Sequence, residues 1–227
     1  MSILESAWFY PTLVYFHLLL FVFWLGADLG VFILGQHFRR RSYSLPERLT
    51  ILKLLVTTDM GPRTAWALMV PSSLMLLKLG PWWPNMPAWL LVAGWLIGLL
   101  WLALVWDAHL HDQTPRARRD RRIENVLKYV LTGFYLTLGL VSLWQGAPLQ
   151  GFLAWKALLF GLIFVAAIMI DVFFKPVGPL LMKLVQEGSS DATEVPLLRT
   201  MNRTRLWVWA TYVLLIATSY LGVTKLL

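Results

Sequence analysis

Ionisable side chains interrupt the apolar segments of this chain, and they lie at two depths. His17 and Lys156 each follow the start of an apolar run by a few residues, whereas Asp28 and Asp171 lie toward the far ends of the same two runs. Such groups cost about 2.5–3.5 kcal/mol each at membrane depth, so they normally face a partner or a cavity. The pattern predicts an outer pair, His17 and Lys156, and an inner pair, Asp28 and Asp171, whose carboxylates Arg63 could neutralise.

The first apolar run carries its polar side chains on one helical face. At about 100° per residue, Trp24 and Asp28 each lie roughly 20° from His17, so the three form a stripe. On the opposite side, Gly26 and Gly30 are typical of a close helix contact. We expect the stripe to face a ligand or to carry a proton. In the structural alternative, His17 hydrogen-bonds a carbonyl group, and Asp28 pairs with Arg63 to link two helices.

The composition indicates the elements that must position these side chains. Hydrophobic residues make up 58% of the 227 residues and charged residues 14%, whereas an ordinary soluble domain has about 25% charged residues. This predicts an all-α integral membrane bundle that forms a single transmembrane domain over residues 1–227. Crossing a bilayer takes roughly 20 apolar residues. The six transmembrane helices that we expect lie at about 11–35, 62–80, 88–107, 126–144, 152–174 and 205–224.

Basic residues are distributed unevenly between the connections. Six of the 20 Lys and Arg residues lie in 36–63, six in 107–128 and five in 175–205, which connect the spans on one side. The positive-inside rule places these segments in the cytoplasm and both termini outside. We therefore predict an N-out/C-out multi-pass protein of the bacterial inner membrane. Topology and contact with anionic lipid explain the net charge of +8, and no nucleic-acid partner is predicted.

Two of the basic connections have patterns of their own. Residues 44–59 carry apolar side chains at spacings that predict a short amphipathic helix lying on the membrane. Residues 185–196 are polar and contain Gly and Ser, which is typical of a flexible connection.

Short motifs in the apolar segments match a known pattern. In chain order they are His17-x6-Trp24-x-Gly26, Met60-x2-Arg63, Met69-x-Pro71, Trp155-Lys156 and Arg199-x2-Asn202. Together they resemble the HemJ family of membrane protoporphyrinogen oxidases and the related CopD-like membrane domains, over residues 11–80 and 152–224. HemJ proteins have four helices, so the third and fourth spans would be an insertion. Asp171 also stands near the end of a helix where that family often has a His.

The resemblance implies that His17 and Lys156 are functional and that the cofactor is a b-type haem. Haem iron usually takes His or Met as axial ligands. Of the four histidines, only His17 lies near the outer side. A second axial ligand would come from Lys156, from a Met or from a second subunit. The stretch from Asp107 to Asp112, DAHLHD, is an alternative metal site, because its carboxylates and imidazoles are metal-ligand types.

We therefore expect a HemJ-like membrane redox protein that binds haem, a porphyrin or a quinol between spans one, two, five and six. His17 would be the axial ligand or the proton acceptor, and Trp24 and Lys156 would contact the ligand. Lys156 would also pair with a substrate carboxylate. Catalytic roles are further expected for an inner proton path formed by Asp28, Arg63 and Asp171.

Other functions remain compatible with the same residues. The buried charges could instead line the path of a proton-coupled transporter or channel. The chain could also be a non-catalytic subunit of a larger membrane complex, or form a homo-oligomer. Cysteine is absent, which excludes disulfides, thiolate metal sites and iron–sulfur clusters within the chain. No P-loop or dinucleotide-binding fingerprint occurs.

Overall fold

The computed structural model describes residues 8–226, and within this range all regular secondary structure is helical. The predicted all-α bundle is confirmed. The seven helices are α1 (Phe9–Phe38), α2 (Leu45–Leu79), α3 (Ala88–Leu110), α4 (Pro115–Gln145), α5 (Phe152–Phe174), α6 (Val177–Glu187) and α7 (Asp191–Thr224).

Five helical stretches in the described residues are long and apolar enough to cross a membrane: α1, α3, α4, Phe152–Glu187 and α7. The chain is therefore a multi-pass helical membrane protein. The second predicted span lies in α2, which is not among the five. Arg63, Pro71, Ser72, Ser73 and Lys78 interrupt its apolar half.

Three helices begin well before the apolar segments that predicted them. α2 begins at Leu45 rather than 62, α4 at Pro115 rather than 126, and α7 at Asp191 rather than 205. The predicted helix over 44–59 is present from Leu45, but it is not a separate short helix, because these residues form the first half of α2. A capping box starts α2, in which the Ser44 amide donates to Glu47 Oε2 at 2.7 Å. The predicted flexible segment 185–196 is helical except for 188–190.

The helices pack mainly as neighbours in the chain. α1 lies against α2, α2 against α3, and α4 against α5, which also packs on α7. At Gly139 two backbones come close, since a Cβ there would lie 2.6 Å from the amide nitrogen of Leu158. The central core is aromatic. The ring centroid of Trp66 lies 5.5 Å from that of Trp24, 4.8 Å from that of Trp101 and 4.7 Å from that of Phe164. This core holds α1, α2, α3 and α5 together.

A second, smaller core lies where the basic connections gather. It is built from Phe38, Val177, Leu184 and Leu197. A buried ion pair ties it together, because Arg48 lies 2.5 Å from Glu194 and also donates to the carbonyl oxygen of Phe38 at 2.8 Å. We call this the basic end of the bundle. The opposite end, where α1 and α5 begin and α7 ends, is called the cavity end.

Candidate functional site

A cavity of about 250 Å³ lies between the helices at the cavity end. α1 contributes His17 and Trp24 to its wall, and α5 contributes Lys156. Residues of α2, α4 and α7 complete the wall. The three side chains predicted to bind a cofactor therefore face one space. Trp24 also contacts Phe160 of α5 edge-to-face at 6.4 Å, which holds the two helices at a common depth.

The hydrogen bonds of His17 define which ring nitrogen is basic. His17 Nδ1 lies 2.8 Å from Ser72 Oγ, and this hydroxyl donates its single proton to the carbonyl oxygen of Met69 at 3.1 Å. With the Ser72 proton engaged there, His17 Nδ1 donates to Ser72, since a serine hydroxyl has one proton to give. This arrangement corresponds to the neutral tautomer with its proton on Nδ1. Nε2 is left as a lone pair that can accept a proton or bind a metal.

Lys156 brings a second polar group to the same cavity. Over residues 8–226 its ammonium group forms neither an ion pair nor a hydrogen bond. Gly222 of α7 leaves the room for it, because a Cβ at that position would collide with Lys156 Nζ. An amine that is largely withdrawn from water normally needs a partner. Its position in a cavity wall therefore suits an acceptor supplied by a ligand.

The rest of the wall is aromatic and weakly polar. Hydroxyl groups come from Tyr10, Ser73, Tyr135, Thr218 and Ser219, and Lys225 lies over the Trp82 ring at 5.5 Å. Within residues 8–226, no Asp or Glu side chain lines the cavity. Two amines, one imidazole and aromatic rings favour a ligand that is flat, apolar over most of its surface, and carries an acceptor oxygen or a negative charge.

The cavity matches the expected haem only in part. His17 Nε2 can be one axial ligand, with the proton on Nδ1 fixed by Ser72 as second-shell groups do at metal sites. Met69 lines the same cavity. Ligand pockets for molecules of drug size usually measure about 300–1,000 Å³, so the volume here suits a head group of one or two rings. Haem b and metal binding at His17 stay predictions.

Ionised side chains at the basic end form a chain of contacts through the bundle. Arg63 pairs with Asp59 at 2.6 Å and reaches Glu124 at 3.9 Å. Lys128 then joins Glu124 at 3.1 Å to Asp171 at 2.8 Å. Two predicted members of the inner network, Arg63 and Asp171, are thus connected. Their connection runs through Glu124 and Lys128, which are almost completely buried.

Asp28, the third predicted member, stands apart from this ion chain. Among residues 8–226 its carboxylate forms no ion pair with Arg63 or with any other basic residue. Its backbone carbonyl oxygen accepts a hydrogen bond from the Tyr212 hydroxyl at 2.9 Å, which links α1 to α7. Asp28 therefore shares the His17 face of α1 but lies beyond the cavity, whose α1 wall ends at Trp24.

Aromatic side chains separate the cavity from the ion chain. Trp24 lines the cavity, and the Trp66 ring lies behind it at 5.5 Å. On its other side Trp66 faces Lys128, whose ammonium nitrogen is 5.8 Å from the ring centroid. Trp101 closes the same layer and donates to Glu124 at 3.4 Å. The two polar regions are thus isolated from each other by rings.

The alternative metal site at Asp107–Asp112 has other partners. Arg116 donates two hydrogen bonds to the Asp107 carboxylate, at 2.5 and 2.6 Å, and Arg121 donates one to Asp112. The Arg121 hydrogen bond lowers the pKa of Asp112, although burial opposes the shift. In the part of the chain that the structure describes, no three His, Asp or Glu side chains are arranged to hold a metal ion.

Three residues of these sites were not predicted. Ser72, which orients His17, had a signal in the sequence: the Ser-Ser pair is the polar interruption that directly follows Pro71 in an apolar segment. Glu124 precedes the fourth predicted span, which begins at 126, and Lys128 lies two residues inside that span but is also the last of the basic residues in 107–128. Glu124 and Lys128 are four residues apart with the acid first, which is typical of an ion pair within a helix. This spacing indicates that α4 begins before residue 124.

Comparison with known proteins adds no relative: no family model matches the chain, and neither a curated protein nor a solved structure has significant similarity to it.

Proposed function

We propose that this chain is a membrane redox protein of the HemJ type, whose cavity binds a flat aromatic ligand with acidic or anionic oxygens, such as a quinol or part of a porphyrin. The main supporting observation is that His17 and Lys156, from different helices, face one aromatic cavity. The motif resemblance described above supports the redox assignment. The cavity chemistry supports the ligand class independently of that resemblance.

The proposed topology has six spans in the bacterial inner membrane, with both termini on its outer side. α2 would be the sixth span, in addition to the five stretches that are apolar enough on their own. Arg41 pairs with Asp191 and Lys128 with Asp171, so the basic connections meet at one end. The positive-inside rule then makes the basic end cytoplasmic and places the cavity in the outer half of the bilayer.

The His17 imidazole and the Lys156 ammonium group each have a part in binding. A phenolic or enolic O–H of the ligand would donate to His17 Nε2, since Nδ1 is already engaged by Ser72. The imidazole would accept this proton, and the Lys156 ammonium would stabilise the negative charge left on the oxygen. The aromatic wall excludes water, which strengthens both interactions. The residues thus favour the deprotonated ligand, the form that gives up electrons most readily.

The aromatic layer supports ligand binding rather than an open channel. A proton or ion moving from the cavity to the ion chain would have to pass Trp24 and Trp66, whose rings are packed at 5.5 Å. Trp66 Nε1 is buried and has no hydrogen-bond partner in residues 8–226. A polar path through this layer is therefore absent from the described part of the chain.

The test is the optical spectrum and organic extract of the protein purified from its native membrane in mild detergent. We expect an aromatic chromophore at about one per chain, identified by mass spectrometry of the extract. His17→Ala should remove it. The matched control is His37→Ala, because His37 bonds Tyr43 at 3.0 Å at the basic end. Equal chromophore content in wild type and His17→Ala would overturn the proposal, and so would transport of a solute without any bound aromatic molecule.

A further inference from the structure

A shallow groove of about 490 Å³ runs along α7 at the basic end. Its wall combines Arg199, Asn202 and Arg203 with the apolar side chains of Val195, Leu198 and Leu206. The groove is remote from the cavity, which contacts only the opposite end of α7. It therefore needs an explanation of its own.

The arginines of this groove are not neutralised within the described residues. Elsewhere at the basic end, Arg41, Arg48, Arg116 and Arg121 each contact a carboxylate. Over residues 8–226, neither Arg199 nor Arg203 forms an ion pair or a side-chain hydrogen bond. The nearest acid on the same helix, Glu194, is fully buried and engaged by Arg48. The groove thus presents uncompensated positive charge.

Arg39 adds to the same charge from the end of α1. Its guanidinium group donates to Asn202, which lines the groove, while its Nε is buried and has no partner in residues 8–226. Burial, and next the nearby Arg205 charge, lower the pKa of Arg39. Like charges gathered without a carboxylate repel one another, so a bound anion would stabilise this cluster.

The groove continues into a face of α7 that is exposed and apolar. Residues at spacings of three and four lead from Val195 and Arg199 through Asn202 and Leu206 to Trp209 and Val213. Leu206 is 71% exposed and Val213 is 65% exposed. On a helix that is apolar enough to cross a membrane, such a face contacts acyl chains. The arginines therefore lie where this face reaches the head-group region.

We propose that this groove is a binding site for an anionic phospholipid. The lipid phosphate contacts Arg199 and Arg203. The side-chain amide of Asn202, in the same wall, donates a further hydrogen bond to it. One acyl chain lies along Leu206 and the apolar face beyond it. Basic clusters next to a membrane span bind anionic head groups by this combination of charge and apolar contact. Guanidinium groups suit phosphate because they donate two parallel hydrogen bonds.

Native mass spectrometry of the delipidated full-length protein tests the proposal, with phosphatidylglycerol and phosphatidylcholine as probes. We expect retention of one phosphatidylglycerol and weaker retention of phosphatidylcholine. Arg199→Gln combined with Arg203→Gln should weaken phosphatidylglycerol binding roughly thirtyfold, since each basic residue near an anionic lipid contributes about fivefold. The matched control is Arg118→Gln combined with Arg122→Gln, which removes two exposed arginines at the same spacing from α4.

The outcomes separate the possible ligands. Equal weakening in both double variants would show attraction by diffuse charge and would overturn the proposal. Competition by inorganic phosphate at the same concentration as lipid would also overturn it, because the site would then bind a free anion. If the Gln variant fails to fold, Arg199→Lys with Arg203→Lys keeps the charge. That variant should then bind more weakly than wild type, because lysine cannot donate the paired hydrogen bonds.

Discussion

Glu124 and Lys128 at the basic end and Lys156 at the cavity end are all ionisable side chains within the bundle, but their surroundings differ. Glu124 and Lys128 have side-chain exposures of 5% and 6% and belong to a chain of ion pairs. Lys156 faces a cavity and has no ion-pair partner in residues 8–226. The comparison separates two uses of buried charge. Paired ions connect helices, whereas a charge directed into a cavity is available to a ligand.

The largest effect is expected from breaking the paired region. Lys128→Met removes the nearest partner of Glu124 and the partner of Asp171, and it leaves Glu124 buried beside Trp101 with Arg63 at 3.9 Å. Breaking a buried ion pair in this way lowers the free energy of unfolding by about 3–5 kcal/mol. Thermal or denaturant unfolding in detergent measures it. Lys53→Met, at an exposed position of α2, is the control and should change stability by about 0.5 kcal/mol or less.

A double variant shows whether the loss comes from pairing. Glu124→Gln combined with Lys128→Met removes the charge of the Glu124 carboxylate, which has lost its nearest partner. The double variant should therefore recover much of the stability lost in Lys128→Met. If the two variants are equally unstable, the ion chain does not hold the helices by charge, and packing alone accounts for the loss.

The unpaired region should respond in the opposite way. Lys156→Met leaves no charge without a partner in the described residues, so we expect the free energy of unfolding to stay unchanged or to rise. Ligand retention should fall by about tenfold to a hundredfold, which corresponds to one charge-assisted hydrogen bond of about 1.5–3 kcal/mol. Unfolding and extract analysis on the same preparation measure both. A loss of stability as large as that of Lys128→Met would contradict the contrast between the two ends.

A smaller effect is expected from the residue that orients His17. Ser72→Ala removes the acceptor of the Nδ1 proton. One neutral hydrogen bond contributes about 0.5–1.5 kcal/mol, so ligand affinity should fall by up to about tenfold without loss of the bundle. The control is Thr204→Ala, another buried hydroxyl, which bonds only its own helix at Thr200. Unchanged affinity in Ser72→Ala would mean that the tautomer of His17 does not matter for binding.

The smallest effect concerns an exposed ion pair outside the membrane. The Arg121 hydrogen bond lowers the pKa of Asp112 in the folded protein, so this contact stabilises the fold above the ordinary carboxyl pKa of about 4. The contribution disappears as the pH falls through the lowered pKa. For a half-exposed pair it is about 1 kcal/mol or less. Melting temperatures between neutral pH and pH 3 should therefore fall slightly more for wild type than for Asp112→Asn.

The sequence alone predicted the helical bundle and much of the cavity. His17 and Lys156 could be placed at one depth, because each follows the start of an apolar segment by a few residues. The helical period placed Trp24 beside His17. The structure brings these three side chains to one space. Such predictions succeed because the length of an apolar segment and the helical period of 3.6 residues are set by residues that are close together in the sequence.

The ion chain and the helix ends could not be predicted in the same way. Hydropathy detects only the most apolar part of a helix, so it places the polar first turns of α4 and α7 in connections. It also predicts residues 44–59 as a helix separate from the second span, although both belong to α2. Asp28 shows a second limit. Its helical phase is close to that of His17, but the pairing of its carboxylate depends on which helix lies opposite. That information is in the tertiary packing rather than in the period of α1.

The most direct test of the account is a titration of the purified protein with 2-hydroxy-1,4-naphthoquinone, a two-ring probe that is anionic at neutral pH. Wild type and Lys78→Met should bind it with the same affinity, because Lys78 bonds the carbonyl oxygens of Pro84 and Met86 outside the cavity. Lys156→Met and His17→Ala should each bind at least tenfold more weakly. Equal affinity in all four proteins, or no saturable binding by wild type, would contradict the assignment of the cavity as the site.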